Sequence, residues 1–597
     1  MVAAMQGRSR VLTCGLLAAA AATSCASATR RFPLREAMWR DTDLRPVHVP
    51  CRPDPEEEGH QLCRPEDYTS PFAWDGADNM LFRPMSQFFA VDPEGPAINV
   101  NAMDEVPDSA WFTNRIGMQP MTADQIRMGS CDPAELLDPD APDGSWEIDM
   151  GKPNGANPGF RIRVNGVKFM LKADPSDQPE RATGATSIAA RFYYAAGWWA
   201  PCDSVVYFRP SILRLRPGLE VTDNSGVTRP FNQAALDRLL ANASYRETAD
   251  GGRLIRMVAS RWLPGRAIGP FRYEGTRDDD PNDVIPHEER RDLRGAKVIA
   301  AWLNHFDSRE QNSMDTWMPV NTEDSDSSPG HVRHWYIDLG DCFGSEWAYD
   351  GISRRLGHAY YLDVPYVVGD FLTLGLVRRP WDRARRAPEA RLFGYYHERD
   401  FAPEDWHGGY PNPAFSRMTE GDGAWATRIL ARFTPDLIRA AISVGNYTSP
   451  RHVRYLETQV IARHRRVLRR YLAVLSPITD VEATEDRLCA VDLARRTGVF
   501  GADGFTYSAS VYQGADHAPG ETPSTEPGPD GRVCVSLRHH AASSGTPDDH
   551  ASRYTIVDLH NGRSEGPTRV HLYDLGPTRG FRVVGIERPD DLDPPTG

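Results

Sequence analysis

"HFDSREQNSM", residues 305 to 314, and "HWYIDLGDCFG", residues 334 to 344, are the stretches on which the reading of this chain turns. The first carries an Asp followed five residues later by an Asn; the second sets an Asp in a hydrophobic strand just ahead of a glycine. Carboxylate and amide oxygens are hard donors, and such a set suits a magnesium ion held against phosphates. D-x-x-x-x-N alone arises by chance in a chain of this length. Each Asp also has a plain structural role, Asp307 as a loop carboxylate after a helix and Asp338 as a turn former at a strand end. What lifts the pair above chance is the order of elements around it.

Just upstream, "DLRGAKVIAAWLNHF" puts Val298 with Trp302, Ile299 with Leu303, and then Phe306 on one face at helical spacing, the mark of a buried helix. Farther back, "GFRIRVNGVKFMLKAD", residues 159 to 174, alternates around an Asn-Gly pair and predicts a hairpin with a tight turn. "SIAARFYYAAG" follows as an apolar-periodic helix ending at Gly197, and "DSVVYFRP" and "LIRMVASRWLPG" read as strands, the latter stopped by Pro264 and Gly265. Downstream, "WATRILARF", "TPDLIRAAISVG" and "VRYLETQVIARHRRVLRRYLAVL" are helical. The last carries Val453, Leu456, Val460, Val467, Tyr471 and Val474 along one stripe, and its arginines read as a solvated face, with membrane or phosphate contact as the other reading. Beyond about residue 486 the pattern changes to short alternating runs such as "RVCVSLRH" and "RVHLYDLG" between Gly, Pro and Ser clusters, the pattern of a small antiparallel β-domain.

The chain opens with "RSRVLTCGLLAAAAATSC", a basic start, an apolar run of about a dozen residues and small residues ahead of Cys25, which is the layout of a secretory signal. "AATSC" resembles a bacterial lipobox, with Ala where such boxes carry Leu, so Cys25 is expected to be the lipid-modified first residue of the mature protein. A net charge of -14 over 597 residues argues against a general nucleic-acid binder. Beyond Cys14 and Cys25, seven cysteines face an oxidising compartment, so one stays free. Cys51 with Cys63 is the first expected bridge by proximity and Cys489 with Cys534 the second. Neither C-x-x-C nor H-E-x-x-H occurs, so zinc has little support.

"DSREQN" has the D-x-x-x-x-N of a kinase catalytic loop, and "YIDLGDCFG" resembles the metal-binding strand and turn of phosphatidylinositol-kinase-like and HipA-type kinases. The chain therefore resembles a divergent, atypical kinase. That resemblance implies an α+β, two-lobed protein-kinase-like fold, a small β-rich lobe and a larger helical lobe, with the small antiparallel β-domain appended. It implies Asp338 and Asn312 as metal ligands, Asp307 as the group that orients the acceptor hydroxyl and takes its proton, and Mg2+ and ATP as cofactors. Asp341 either joins the metal shell or caps the following turn. Lys172, on the second hairpin strand, resembles the lysine that holds the nucleotide phosphates, with Lys168 on the same face as runner-up. Glu180 resembles the glutamate that pairs with that lysine, or is an ordinary first-turn carboxylate. "NGANPGF", residues 154 to 160, is either a loop over the phosphates or a plain turn.

The expected organisation is a signal peptide over 1–24, a tether and irregular lead-in over 25–85, a β-rich N-lobe over 86–275, a helical C-lobe over 276–480 and the β-domain over 486–597. "RDDDPNDVIPHEERRDLRG", residues 277 to 295, reads as an acceptor or metal site or as a solvated loop; "WHGGYPNPAF", residues 406 to 415, as a sugar platform or as a loop anchored by buried aromatics. Three functions follow: a phosphotransferase or nucleotidyl transferase acting outside the cytoplasm on a protein, sugar or lipid acceptor; a kinase-fold surface lipoprotein serving as a binding module; and a metal-dependent hydrolase. Retention of Lys172, Asp307, Asn312 and Asp338 together favours the first. Nucleic acid is not an expected partner, and the membrane is one through Cys25.

Overall fold

The computed structural model describes residues 29–55, 57–69, 71–89, 95–152, 157–174, 176–223, 226–347, 349–501, 503–514, 516–520, 522–539 and 551–595. The signal stretch, Cys25 and the start of "NGANPGF" lie outside them. The architecture is mixed α and β: a seven-stranded sheet, a helical layer and several smaller antiparallel sheets.

The seven-stranded sheet is built from β1 (Trp146–Gly151), β2 (Gly159–Val164), β3 (Val167–Lys172), β4 (Asp203–Phe208), β5 (Leu213–Leu215), β6 (Tyr245–Glu247) and β7 (Arg253–Arg261), in the order β6-β7-β3-β2-β1-β5 with β4 also paired to β7. The β2–β3 hairpin turns at Asn165 and Gly166, both at positive φ (48° and 83°), the conformation that Asn-Gly favours in a two-residue turn. Register Phe160↔Leu171 and Ile162↔Phe169 puts all four side chains in the core, so Arg161, Arg163, Lys168 and Lys172 take the opposite face. At the hairpin's open end a Cβ on Gly159 would lie 2.2 Å from the Leu171 carbonyl oxygen, so only glycine lets the strands close beside Lys172.

After the hairpin comes α1 (Arg181–Ala196), almost wholly buried and ending at Gly197, where φ is 132°. Its Ala-rich surface packs into the same core as α2 (Arg291–Leu303), which Asn304 closes in the left-handed region. Strand β8 (Arg266–Gly269) pairs with β9 (Ser313–Pro319), which forms a hairpin with β10 (Gly330–Tyr336). The helical layer continues through α3 (Val364–Thr373), α4 (Glu420–Leu430), α5 (Pro435–Ser443) and α6 (Pro450–Tyr471). Leu456, Val460, Val467 and Tyr471 of α6 are buried, as their spacing predicts. Its arginines form less of a solvated face than expected. The Arg463 guanidinium donates to the Trp302 and Ala301 carbonyl oxygens (3.0 and 2.6 Å), and Arg470 pairs with Glu420 at 2.8 Å.

Two antiparallel sheets pack face to face at the C-terminus. One runs from Ile478–Ala483 through Arg487–Asp492 and Arg532–Ser536; the other contains Ser508–Gln513, Tyr554–His560, Thr568–Asp574 and Phe581–Glu587. Leu488, Val535, Val557 and Leu572 fill the space between. The outer face of the second sheet is covered by Phe32, whose backbone N–H donates to the Tyr554 hydroxyl at 3.0 Å, so part of the expected tether is a packed element. Phe72–Phe89 is helical as well and runs across the expected boundary at residue 85. Cys51–Cys63 and Cys489–Cys534 are disulfide-bonded, with Cys131–Cys202 as a third bridge between positions 71 apart, and Cys342 is free and buried.

One half-buried carboxylate joins these parts. Asp104 receives Arg291 at 2.5 Å from α2, Arg428 at 3.0 Å from α4 and Arg588 at 2.9 Å from the end of the β-domain. Burial would raise its pKa, but the three guanidiniums hold it well below the usual carboxylate range.

Candidate functional site

The β9–β10 hairpin brings the two opening motifs together. Register Ser313↔Tyr336 sets the strand ends level, and the Ile337 N–H donates to the Asn312 carbonyl oxygen at 3.0 Å. Asn312 and Asp338 therefore flank one end of a short hairpin although the loop between its strands is long. Asp338 sits at φ 53°, a left-handed conformation that Asp tolerates better than most residues, and its side chain is 46% exposed. Behind it a Cβ on Gly340 would lie 3.1 Å from the Thr186 hydroxyl of α1, and the Arg181 guanidinium donates to the Gly340 carbonyl oxygen (3.0 Å) and to Asp341 (3.2 Å). The Asp338 turn is thereby clamped to the start of α1.

Lys172 reaches this turn from the sheet: its Nζ lies 2.8 Å from Asp338 Oδ1, across 166 positions of sequence. Burial lowers the lysine's pKa, but Asp338, with Asp203 and Asp341, outweighs it and raises the value. Lys172 in turn draws Asp338 below the ordinary carboxylate pKa. Asp307 behaves in the opposite way. Burial pushes it up to about 7, with Asp341 and Asp338 adding to the rise and Arg309 and Asn312 opposing it. Asn312 Nδ2 donates to both the Asp307 carbonyl (2.7 Å) and carboxylate (2.8 Å), which leaves the amide oxygen as its polar atom for another partner. Asp341 is raised by burial and by Asp338, with Arg181 opposing.

Glu180 requires a correction. Its carboxylate accepts the Thr448 N–H at 3.2 and 3.1 Å, so it ties α1 to the loop before α6, and Asp338 is the partner of Lys172. The turn that begins α1 puts Glu180 at φ 68°. Lys168 is half-buried and lies 6.0 Å from the Trp262 ring centroid.

Three groups that motif reading passes over belong to the same neighbourhood. Lys152 Nζ donates to the Asn157 carbonyl at 2.8 Å, and burial together with Lys172 draws its pKa down to about 8. Asp203, opposite Ser260 on β7, is lifted by burial to about 6, and its Oδ1 has no hydrogen-bond partner among the described residues. Arg309 lies 3.1 Å from Asp307 and 3.0 Å from Asp75 of the Phe72–Phe89 helix. Strand pairing brings Asp203 in and burial makes Lys152 unusual, so neither carries a local signal; Arg309 does, standing inside the D-x-x-x-x-N motif.

The charge cluster at 277–295 is turned inward. His287 pairs with Asp283 at 2.7 Å, Arg277 with Asp315 at 3.4 Å and Arg290 with Asp292 at 3.3 Å. Trp406 and Phe415 are buried, and the Trp406 indole N–H donates to Asn304 Oδ1 at 2.9 Å, so those aromatics anchor a loop. Among the described residues the tightest group of carboxylates and histidine is elsewhere, Asp54, Glu57 and His60 inside the Cys51–Cys63 loop. A surface pocket of 480 Å³ lined by Asp108, Asn114 and Arg115 also lies apart from the Lys172 cleft. Comparison with known proteins gives no family model, no curated protein and no solved structure that matches the chain.

Proposed function

We propose that the protein is a magnesium-dependent, kinase-like phosphotransferase, with the seven-stranded sheet as the small lobe and the helical layer as the large one. The observation that carries this reading is the 2.8 Å approach of Lys172 to Asp338, beside Asn312 and Asp307. The donor chemistry fits a hard divalent ion: Asp338 and Asp341 offer carboxylates, and Asn312 the amide oxygen its own hydrogen bonds leave over. When bound, magnesium neutralises charge on the transferred phosphoryl group.

The chain's own residues do the rest. Lys172, kept cationic by its acidic neighbours, holds phosphate oxygens of the donor, and Lys152 adds a second ammonium from the next turn of the sheet. Asp307 accepts the proton of an acceptor hydroxyl, whose oxygen bonds to the terminal phosphorus of ATP as the bond to the bridging oxygen breaks and ADP leaves. A carboxylate raised to about 7 is matched to proton transfer near neutral pH. Three disulfides support work in an oxidising compartment, consistent with export and anchoring at Cys25. The test is thermal unfolding of the full chain with MgATP: a magnesium-dependent upward shift is expected, absent in Asp338→Ala. No shift with any nucleotide would move the assignment to a binding module.

A further inference from the structure

Two helical segments beside the catalytic loop are inside out. In Phe72–Phe89 the polar Asp75 and Asn79 are buried at 4% and 2% exposure, while Trp74, Phe82, Met85, Phe88 and Phe89 face solvent, the last two at 72% and 74%. In α3 Tyr366 and Asp370 grip Arg379, by cation–π contact at 3.5 Å and an ion pair at 2.6 Å. The arc that carries Val364, Val367, Val368, Phe371 and Leu372 is exposed, and Leu374 and Leu376 beyond it are 84% and 83% exposed. Such apolar area is uncommon on a protein whose surface only meets water. Both segments reach the same loop: Arg309 pairs with Asp75 on one side and stacks over Tyr410 at 4.8 Å on the other, and Tyr410 meets Tyr361, two residues before the cap of α3, at 4.9 Å.

Charge selects the occupant. Over a chain of net charge -14, Val364 to Arg386 holds five arginines against two aspartates. Arg378, Arg383 and Arg385 are exposed and make no ion pair among the described residues. Exposed apolar side chains together with unpaired guanidiniums match hydrocarbon beneath a layer of phosphates, which attracts each basic residue. No described helix is long and apolar enough to cross a membrane, so the contact is with a surface. We infer that α3, its arginine-rich extension and the Phe72–Phe89 helix form a docking face for an anionic lipid surface. This holds whether or not the cleft transfers phosphate, and it is separate from any acyl chain at Cys25.

The test is co-sedimentation of the full chain carrying Cys25→Ser with phosphatidylglycerol-containing and pure phosphatidylcholine vesicles. Binding to the anionic vesicles is expected, about tenfold or more weaker for Phe371→Asp/Leu372→Asp/Leu374→Asp and for Arg378→Glu/Arg383→Glu/Arg385→Glu. These side chains are exposed, so an unchanged unfolding midpoint confirms that the variants fold. Equal binding by variants and parent, as residues 11–22 acting alone would give, overturns the proposal. So does equal binding to both vesicles, or a parent that binds neither and forms a dimer that the variants dissolve.

Discussion

Asp104 and Asp307 are half-buried carboxylates with side chains 16% and 17% exposed, and the molecule treats them in opposite ways. Asp104 sits among Arg291, Arg428 and Arg588 and stays ionised far into acid. Asp307 has one guanidinium, an amide and two acidic neighbours, and its proton is held to about 7. A carboxylate that only joins elements is matched by cations until nothing remains to titrate, whereas one left short of cations can exchange a proton with a substrate. Under-compensation therefore separates the cleft from the structural charge clusters better than burial does, because the two side chains are almost equally exposed.

That contrast can be broken first at Asp307. Asp307→Asn removes the proton acceptor and is expected to lower phosphotransfer by about 10²–10⁴-fold. In the parent, activity should rise with pH through about 7 as Asp307 ionises. The folded pKa is raised, so ionisation costs stability between the ordinary carboxylate value and about 7, and above that range the Asn variant should unfold no earlier than the parent. A pH-rate profile and unfolding midpoints check both halves; a variant with full activity would remove Asp307 from the chemistry.

Asp104→Ala leaves Arg588 without a carboxylate, while Arg291 keeps Asp422 and Arg428 keeps Glu105, and is expected to cost about 3–5 kcal/mol in denaturant unfolding. Its sign is opposite: the folded pKa is depressed, so the stabilisation is present above the ordinary carboxylate pKa and is lost as pH falls through the folded value. Equal loss at acid and neutral pH would refute the account of Asp104 as an ionised hub. Glu180→Gln gives the smallest effect, about 1–3 kcal/mol from the weakened acceptor for Thr448 N–H. Its nucleotide-induced thermal shift should match the parent; loss of that shift would return Glu180 to the lysine's side.

The parts legible in the sequence are those set by local rules. Alternation around Asn165 and Gly166 placed Lys172 on the face opposite Phe169 and Leu171, and the helical spacing of Val298, Trp302 and Phe306 placed Asp307 just beyond a buried helix. Long-range pairing hid the rest. Asp203 meets the cleft only because β4 pairs with β7, and Cys131 meets Cys202 only after the chain between them folds. Spacing from Lys172 does not decide between the two readings of Glu180, because its partner Thr448 stands 268 positions away. The Phe72–Phe89 helix is not legible in the sequence because apolar residues that face outward follow no rule for a helix packed on a core.

The arginine cluster on Asp104 also dictates an order of assembly. A growing chain presents residue 104 almost 500 positions before Arg588 is made, with Arg291 and Arg428 arriving between them. Until the segment that carries Arg588 is seated, that junction lacks one of its cations, so this segment acts as a latch, and cutting the chain before Arg588 would leave the scaffold unlocked at its centre.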